Sequence, residues 1–366
     1  MNDLTVNVDK SSIVVFKKSG RQSETDKFYY NGEPIKVENT FNYLGIMFSS
    51  SGLFLQAALQ AKRKACVANS SVIGTLVRAK AQDWDTRKKL YETIAKSSLL
   101  YAAEVWALRY IEELEASQLN FYKAVLKVSK STPGYIVRKE LGIKKISYWV
   151  VKQTLHWWVK ILKMPEDRYT RICYTALVRK HEIRPHEKYN WVSQLVSLLH
   201  KLDRMDLWES RDPEYVKPEI QNVMTAFEQK CKEEDASRIL NSSYSTMYRV
   251  IQPDVVMAQY LATDVPICVQ RTLSQLRTAG KTLYLNIKGT IRTIDLTEEC
   301  TMCNYKVTED LSHFLTQCPM YRDPRILFLE NRGIRELLEV WDRTSMLKVH
   351  QYVVEAIKIR SYVLQN

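Results

Sequence analysis

Apolar positions recur two residues apart near the start of this chain and three to four apart through most of the remainder. That pattern predicts a small β region followed by a long helical one. LTVNV (4–8) and SSIVVFKK (11–18) are β-branched and partly alternating. FYYNGEPIKV (28–37) sets Asn31-Gly32 between two strand-like runs, a strong hairpin signal because both residues accept positive φ. FNYLGIMF (41–48) reads as a further strand, so β structure is expected over residues 4–50. After Ser49-Ser50-Ser51-Gly52 the period changes. Residues 53–82 have helical spacing, Asp83 or Asp85 is placed to cap a helix over 84–108, and another spans 111–129. Thr132-Pro133-Gly134 is a turn. Ile146, Trp149, Val150, Leu155, Trp158, Val159 and Leu162 then mark a helix packed on a core, ended by Pro165. From 166 to 290 the chain again reads as helical, with helices at 168–181, 191–209 and 218–240 and Pro218 in the first turn of the last. WVSQLVSLLHKLDRMDLW (191–208) is apolar round much of its circumference, which suits a sandwiched helix. The Pro- and charge-rich stretch 210–218 is the best linker candidate, and a final helix is predicted over 345–364. No internal repeat stands out.

Composition narrows this picture. The chain has 366 residues, enough for two or three domains. Its 45% hydrophobic content can build cores, and ten glycines and ten prolines argue against a turn-rich all-β fold. The fold class expected is mainly α with a small N-terminal β region. No run of 18 apolar residues suggests a membrane span, and residues 1–10 do not read as a signal peptide. The net charge of +13 favours a polyanionic partner.

Seven cysteines are present. Cys66, Cys173, Cys231 and Cys268 are scattered, while Cys300, Cys303 and Cys318 cluster around His313. This arrangement suits a reducing, intracellular compartment, nucleus or cytoplasm, better than a disulfide framework. The spacing Cys300-x2-Cys303-x9-His313-x4-Cys318 is that of a Cys3His zinc site. Four protein ligands leave no open position for water, so one Zn²⁺ is expected in a structural role. The surrounding segment carries little apolar material, so the metal is expected to supply much of its folding free energy. The CxxC lacks the strand–CxxC–helix context of a thioredoxin-like centre. His156, His181, His186, His200 and His350 read as ordinary core or surface residues.

Between Asn120 and Met164 lie ten basic residues and one acid, Glu140. Tyr122, Tyr135, Tyr148, Trp149, Trp157 and Trp158 are interleaved among them. The cations could contact phosphates and exposed rings could stack on bases, although most of the tryptophans fit a core better. Lys123, Lys127, Lys139, Lys144 and Lys145 are the candidate phosphate contacts. Lys62, Arg63 and Lys64 add to the same field, in a window without acids from 53 to 82.

These pieces, in order, resemble the C-terminal portion of a non-LTR (LINE-type) retrotransposon reverse transcriptase. LTVNVDKSSIVVFKK resembles the palm strand pair after the polymerase centre. FYYNGEPIKVENTFNYLGIMFSSSG resembles the hairpin and the Tyr-Leu-Gly element that supports the primer end, here Tyr43, Leu44 and Gly45. LLYAAEVWAL, NFYKAVLKVSKSTPGYIVRKELG and the Trp-rich helix resemble the thumb and its extension. RTLSQLRTAG followed by CTMCNYKVTEDLSHFLTQCPMYRDPR resembles the C-terminal CCHC zinc knuckle. The likeness covers roughly residues 3–330. It implies a palm remnant over 1–52, a helical thumb and basic extension over 53–209, a helical linker region over 210–290, a zinc knuckle over 291–330 and C-terminal helices over 331–366.

The resemblance has one large departure. Polymerases of this kind hold two Mg²⁺ ions on an Asp pair. In the family that pair lies upstream of the segment where this sequence starts, and no Asp-Asp dipeptide occurs here. Only 48 residues follow Cys318, too few for a further nuclease domain. The expectation is a truncated or host-retained fragment with no catalytic residues. It would bind RNA, DNA or hybrid with little base specificity, and no membrane. A protein-interaction module and a decayed, non-functional fragment are the alternatives.

Overall fold

Helix-forming sequence dominates residues 53–281, and the computed structural model of the chain is mostly helical, with three small sheets among the described residues. The structure describes residues 7–18, 20, 23, 25–251, 257–287 and 289–365. The chain folds as two units. Unit 1 comprises residues 1–68, 94–117 and 146–228, and unit 2 comprises 69–93, 118–145 and 229–366.

Unit 1 begins with the β region. Strands β1 (Ser12–Ile13), β2 (Phe28–Tyr30) and β3 (Glu33–Val37) form one sheet in the order β1-β3-β2, with β1 parallel and β2 antiparallel to β3. Tyr30 pairs with Glu33, so Asn31 and Gly32 are the two turn residues, with φ of 49° and 84°. Both are positive, as a type I′ turn demands. FNYLGIMF is not one strand. It folds as a second hairpin, β4 (Thr40–Tyr43) against β5 (Ile46–Ser49). Its two-residue turn is Leu44-Gly45, with φ of 47° and 84°. The backbone there needs positive φ twice, which glycine supplies freely and leucine only under strain. The strand expected over SSIVVFKK is also shorter than predicted. Beyond Ile13 the chain leaves the sheet, and the Lys17 amide donates to the Ser50 carbonyl at 2.8 Å instead. LTVNV lies largely outside the described residues. Its last two, Asn7 and Val8, cap and begin a short 3-10 turn.

Two cores build the helical part of unit 1. In the first, Ala57, Ala58, Ala61 and Ala65 form a stripe of small side chains on the helix Leu55–Arg78. Leu99, Leu100, Ala103, Trp106, Ile146 and Val150 pack against that stripe. In the second, Val151, Leu155, Trp158, Val159 and Leu162 project from the helix Ile146–Leu162. They meet Tyr174 and Val178 of Tyr169–Ile183, Val192, Leu195 and Leu199 of Trp191–Lys201, and Val216, Ile220, Val223 and Met224 of the helix from Pro213. This is the amphipathic spacing the sequence displays, now paired face to face.

Three helices depart from expectation. The stretch 84–108 starts at the Asp83 cap, whose carboxylate accepts the Thr86 amide at 2.7 Å. It then widens to a π-turn over Tyr91–Lys96 and breaks at Ala102, which has φ of 52°. Residues 191–209 form two helices because Asp203 adopts φ of 55°. The presumed linker 210–218 is helical from Pro213, with Pro218 inside the helix.

Unit 2 is organised on the buried helix Ile267–Arg277. Gln270, Thr272, Ser274, Gln275 and Arg277 on it are polar yet buried, and each has a partner. Arg277 grips the fully buried carboxylate of Glu140 through Nε at 3.1 Å and Nη2 at 2.9 Å. The hydroxyls of Tyr248 and Tyr260 donate to the same carboxylate at 2.9 and 2.6 Å. The region 210–290 also holds an unforeseen strand, β6 (Thr282–Ile287), paired with β7 (Thr290–Asp295) and burying Leu283, Leu285 and Ile294.

Two stability measurements test this account. Leu44→Asn should stabilise the fold by roughly 0.5–1 kcal/mol, because asparagine tolerates the left-handed turn and little burial is lost; Leu44 is 72% exposed. An unchanged or lower denaturation midpoint would contradict it. Glu140→Gln should cost about 3–5 kcal/mol in chemical denaturation, since it strands a buried guanidinium without its counter-charge.

Candidate metal centre

The segment 298–309 folds back on itself. Glu299 bridges Thr308, the Cys300 amide donates to the Val307 carbonyl at 2.8 Å, and the Glu309 amide donates to the Glu298 carbonyl at 2.8 Å. The fold-back presents Cys300 and Cys303 on one side. Asp310 then accepts the His313 amide at 2.7 Å, starting a π-type turn, His313–Gln317. The turn closes when the Cys318 amide donates to the His313 carbonyl at 2.8 Å. His313 and Cys318 are thereby aimed at the two other thiols.

The ligand atoms of Cys300, Cys303, His313 and Cys318 all lie within 4.8 Å of one another. Cys300 Sγ and Cys318 Sγ are 4.0 Å apart, and Cys303 Sγ is 3.5 Å from His313 Nε2. A tetrahedron with metal–sulfur bonds of about 2.3 Å has edges of about 3.8 Å, shorter where a nitrogen replaces sulfur. The spacing therefore fits one ion, and the four residues could hold a metal. Burial pushes the Cys300 thiol up, and it pushes Cys318 up to about 12, with the neighbouring thiols adding to the effect. Thiols so hard to ionise become thiolates only if a cation takes their charge.

The surroundings correct one expectation. The segment is not poor in apolar support. Phe314 and Tyr321 are buried and meet edge-on, and Tyr352 of the C-terminal helix Arg343–Gln365 packs against Phe314. The Tyr352 hydroxyl donates to the Phe314 carbonyl. Arg360 of the same helix donates to the buried Glu309 carboxylate and, at 3.0 Å, to Thr301 Oγ1. Arg325 Nη1 reaches the Cys318 carbonyl at 2.9 Å. The cysteine–histidine segment and the terminal helix are thus one packed body, and a metal held there would add to a core that already exists. Tyr352, Arg360 and Glu309 are the supporting residues that sequence spacing did not reveal. They lie outside the ligand motif or look like ordinary surface residues.

The candidate cations fall in different surroundings. In unit 1, Lys62 is paired with Glu113 at 2.9 Å, Arg63 is exposed, and Lys64 donates to the Gly45 carbonyl at 3.1 Å. That last bond, with the Tyr101 hydroxyl donating to the Leu44 carbonyl at 3.1 Å, pins the Tyr43-Leu44-Gly45 turn. In unit 2, Lys145 faces Glu234 at 2.7 Å, and Arg138 holds Asp235 with two bonds of 2.6 Å. Lys139 and Lys144 are half-buried on or just after the helix Gly134–Leu141. Lys123 donates to the Lys130 carbonyl at 2.8 Å, and Lys127 donates to Asn286 Oδ1 at 3.1 Å. Burial lowers the pKa of Lys123. It also lowers that of Lys127, with the Arg271 charge adding to the effect.

The centre makes a direct prediction. Freshly purified protein should carry one metal ion per chain, and Cys318→Ser should abolish it. Because the terminal helix buttresses the site within unit 2, metal loss should lower the melting temperature without unfolding the rest of that unit. Elemental analysis finding no metal in the wild type would refute the site. No protein-family model, curated protein or solved structure matches the chain.

Proposed function

We propose that this chain is a nucleic-acid-binding protein of retroelement origin, related to the C-terminal portion of a non-LTR retrotransposon reverse transcriptase. Its metal on this reading is one structural Zn²⁺. Zinc tolerates three thiolates and an imidazole in a tetrahedron, and a closed ligand set gives it no catalytic position. The observation that carries the reading is a closed Cys3His cluster that follows, in sequence, a helical region with a marked excess of basic over acidic residues. The order of motifs from the Tyr-Leu-Gly turn to the knuckle supports it. Binding would be chiefly to phosphates of RNA, DNA or hybrid, with low sequence specificity. On this reading the chain has no polymerase chemistry of its own, in keeping with the lack of an Asp-Asp dipeptide in the given sequence.

A protein-interaction module is the second reading. It is favoured by Ile326 and Leu327, adjacent and exposed on the helix Arg322–Phe328 of unit 2.

Salt separates the two. If about five phosphates are contacted, affinity for an oligonucleotide should fall roughly 100-fold between about 50 and about 200 mM salt. Fluorescence anisotropy showing no binding at low salt would sink the nucleic-acid reading. Templated extension of a primer with Mg²⁺ and nucleoside triphosphates would overturn the absence of polymerase chemistry.

A further inference from the structure

Two contiguous cavities in unit 1 have complementary chemistry. The first, of about 560 Å³, is basic. It lies between the turn after β1 and the C-terminal end of the helix Tyr169–Ile183, and Lys18, Lys180, Arg184 and His186 line it. The second, of about 320 Å³, is aromatic. Tyr110, Trp157 and Trp191 line it, with Arg109 and Lys188 adding positive charge. Gly52, Leu177 and Tyr189 belong to both.

No carboxylate lines either cavity among the described residues. Lys17 also lines the basic cavity but is already paired, facing Asp26 at 2.5 Å, and nearby Glu182 faces Arg211 at 3.6 Å. The shared wall is fixed, because the Tyr189 hydroxyl donates to the Lys18 carbonyl at 2.9 Å. The Trp191 ring is fixed too, its Nε1 donating to the Glu104 carbonyl at 2.9 Å. Lys180, Arg184 and His186 are solvent-exposed, so filling the groove with an anion need not break the fold.

We propose that these two cavities form a binding site for single-stranded nucleic acid, with backbone phosphates in the basic groove and an unstacked base in the aromatic cavity. Cations that track a backbone beside rings that accept any base are the chemistry of single-strand recognition. A duplex offers the phosphates but keeps its bases stacked. The volumes suit a ligand of nucleotide size. The proposal rests on the nucleic-acid reading above and names the strand state and the residues that this unit would use.

Anisotropy and alkylation together test it on the full chain. The probes are a twelve-nucleotide oligo(dT), a twelve-base-pair duplex and thymidine monophosphate. The double variant Lys180→Gln/Arg184→Gln should bind oligo(dT) more weakly. The slope of log affinity against log salt should shrink by about 1.4, close to 0.7 for each single-strand phosphate contact. Cys173 lines the aromatic cavity and is exposed. Oligo(dT) should therefore slow its alkylation by a maleimide, read by mass spectrometry, while exposed Cys268 in unit 2 reacts at an unchanged rate. Protection by the monophosphate alone would assign the site to free nucleotides and overturn the single-strand claim, as would equal protection by the duplex. Salt-dependent oligo(dT) binding with an unaltered variant and unprotected Cys173 would reject this site but keep the general reading. Absence of any binding would reject both.

Discussion

One carboxylate organises unit 2. Glu140 sits in the interior with no exposed side-chain surface, where an unpaired charge would be prohibitive. Its neutralisation recruits three side chains, each more than 100 residues away in sequence. Arg277 supplies the counter-charge from the end of the helix Ile267–Arg277, and Tyr248 and Tyr260 supply hydroxyl donors. Arg277 then uses Nη1 to hold the Leu338 carbonyl at 2.6 Å, and the Glu140 carbonyl accepts the Ala258 amide at 2.9 Å. Burial, followed by the Glu140 charge, drives both tyrosine hydroxyls far above their ordinary range, so they remain donors. Such a network adds modest net stability, because desolvation offsets much of the attraction. It does exclude arrangements that would separate the partners.

The rest of the unit follows from where that network places the central helix. Arg271 and Gln275 on it donate to the Val125 and Lys127 carbonyls, at 2.8 Å each, so the basic segment 123–127 is set by the same helix. Thr272 meets His350 of the terminal helix at 2.8 Å. That helix in turn carries Tyr352 and Arg360 to the cysteine–histidine cluster. The cluster is therefore tied to the core by two routes, its own ligands and a buttress of aromatic and ionic contacts. A metal ion held there tightens an existing frame rather than creating one.

What the sequence revealed depended on whether the signal was local. Asn31-Gly32 was legible because its turn demands positive φ from both residues and both are suited to it. Leu44-Gly45 makes the same turn but hides inside FNYLGIMF, since leucine carries no turn signal and is held there by Tyr101 and Lys64. The helix Ile146–Leu162 was plain from its apolar spacing. The helix Ile267–Arg277 was not seen as core, because its buried residues are polar and its main partner lies 137 residues away. The candidate metal ligands were legible by spacing alone, whereas their support was not. Glu309 and Arg360 look like surface residues until the terminal helix brings them together.

Charge density along the chain and charge density in space are different quantities here. The run between Asn120 and Met164 is the most basic in the sequence, yet Arg138, Lys145 and Lys163 face the carboxylates of Asp235, Glu234 and Glu214. Lys62 likewise faces Glu113. These cations serve the fold first. Lys18, Lys180 and Arg184 belong to no conspicuous basic run, but a turn and a helix end bring them around one groove that no carboxylate lines among the described residues. A phosphate entering that groove would meet positive charge not already compensated by protein, so its attraction would not be spent on displacing a carboxylate. For a polyanion, the uncompensated cluster should therefore matter more than the longer basic run.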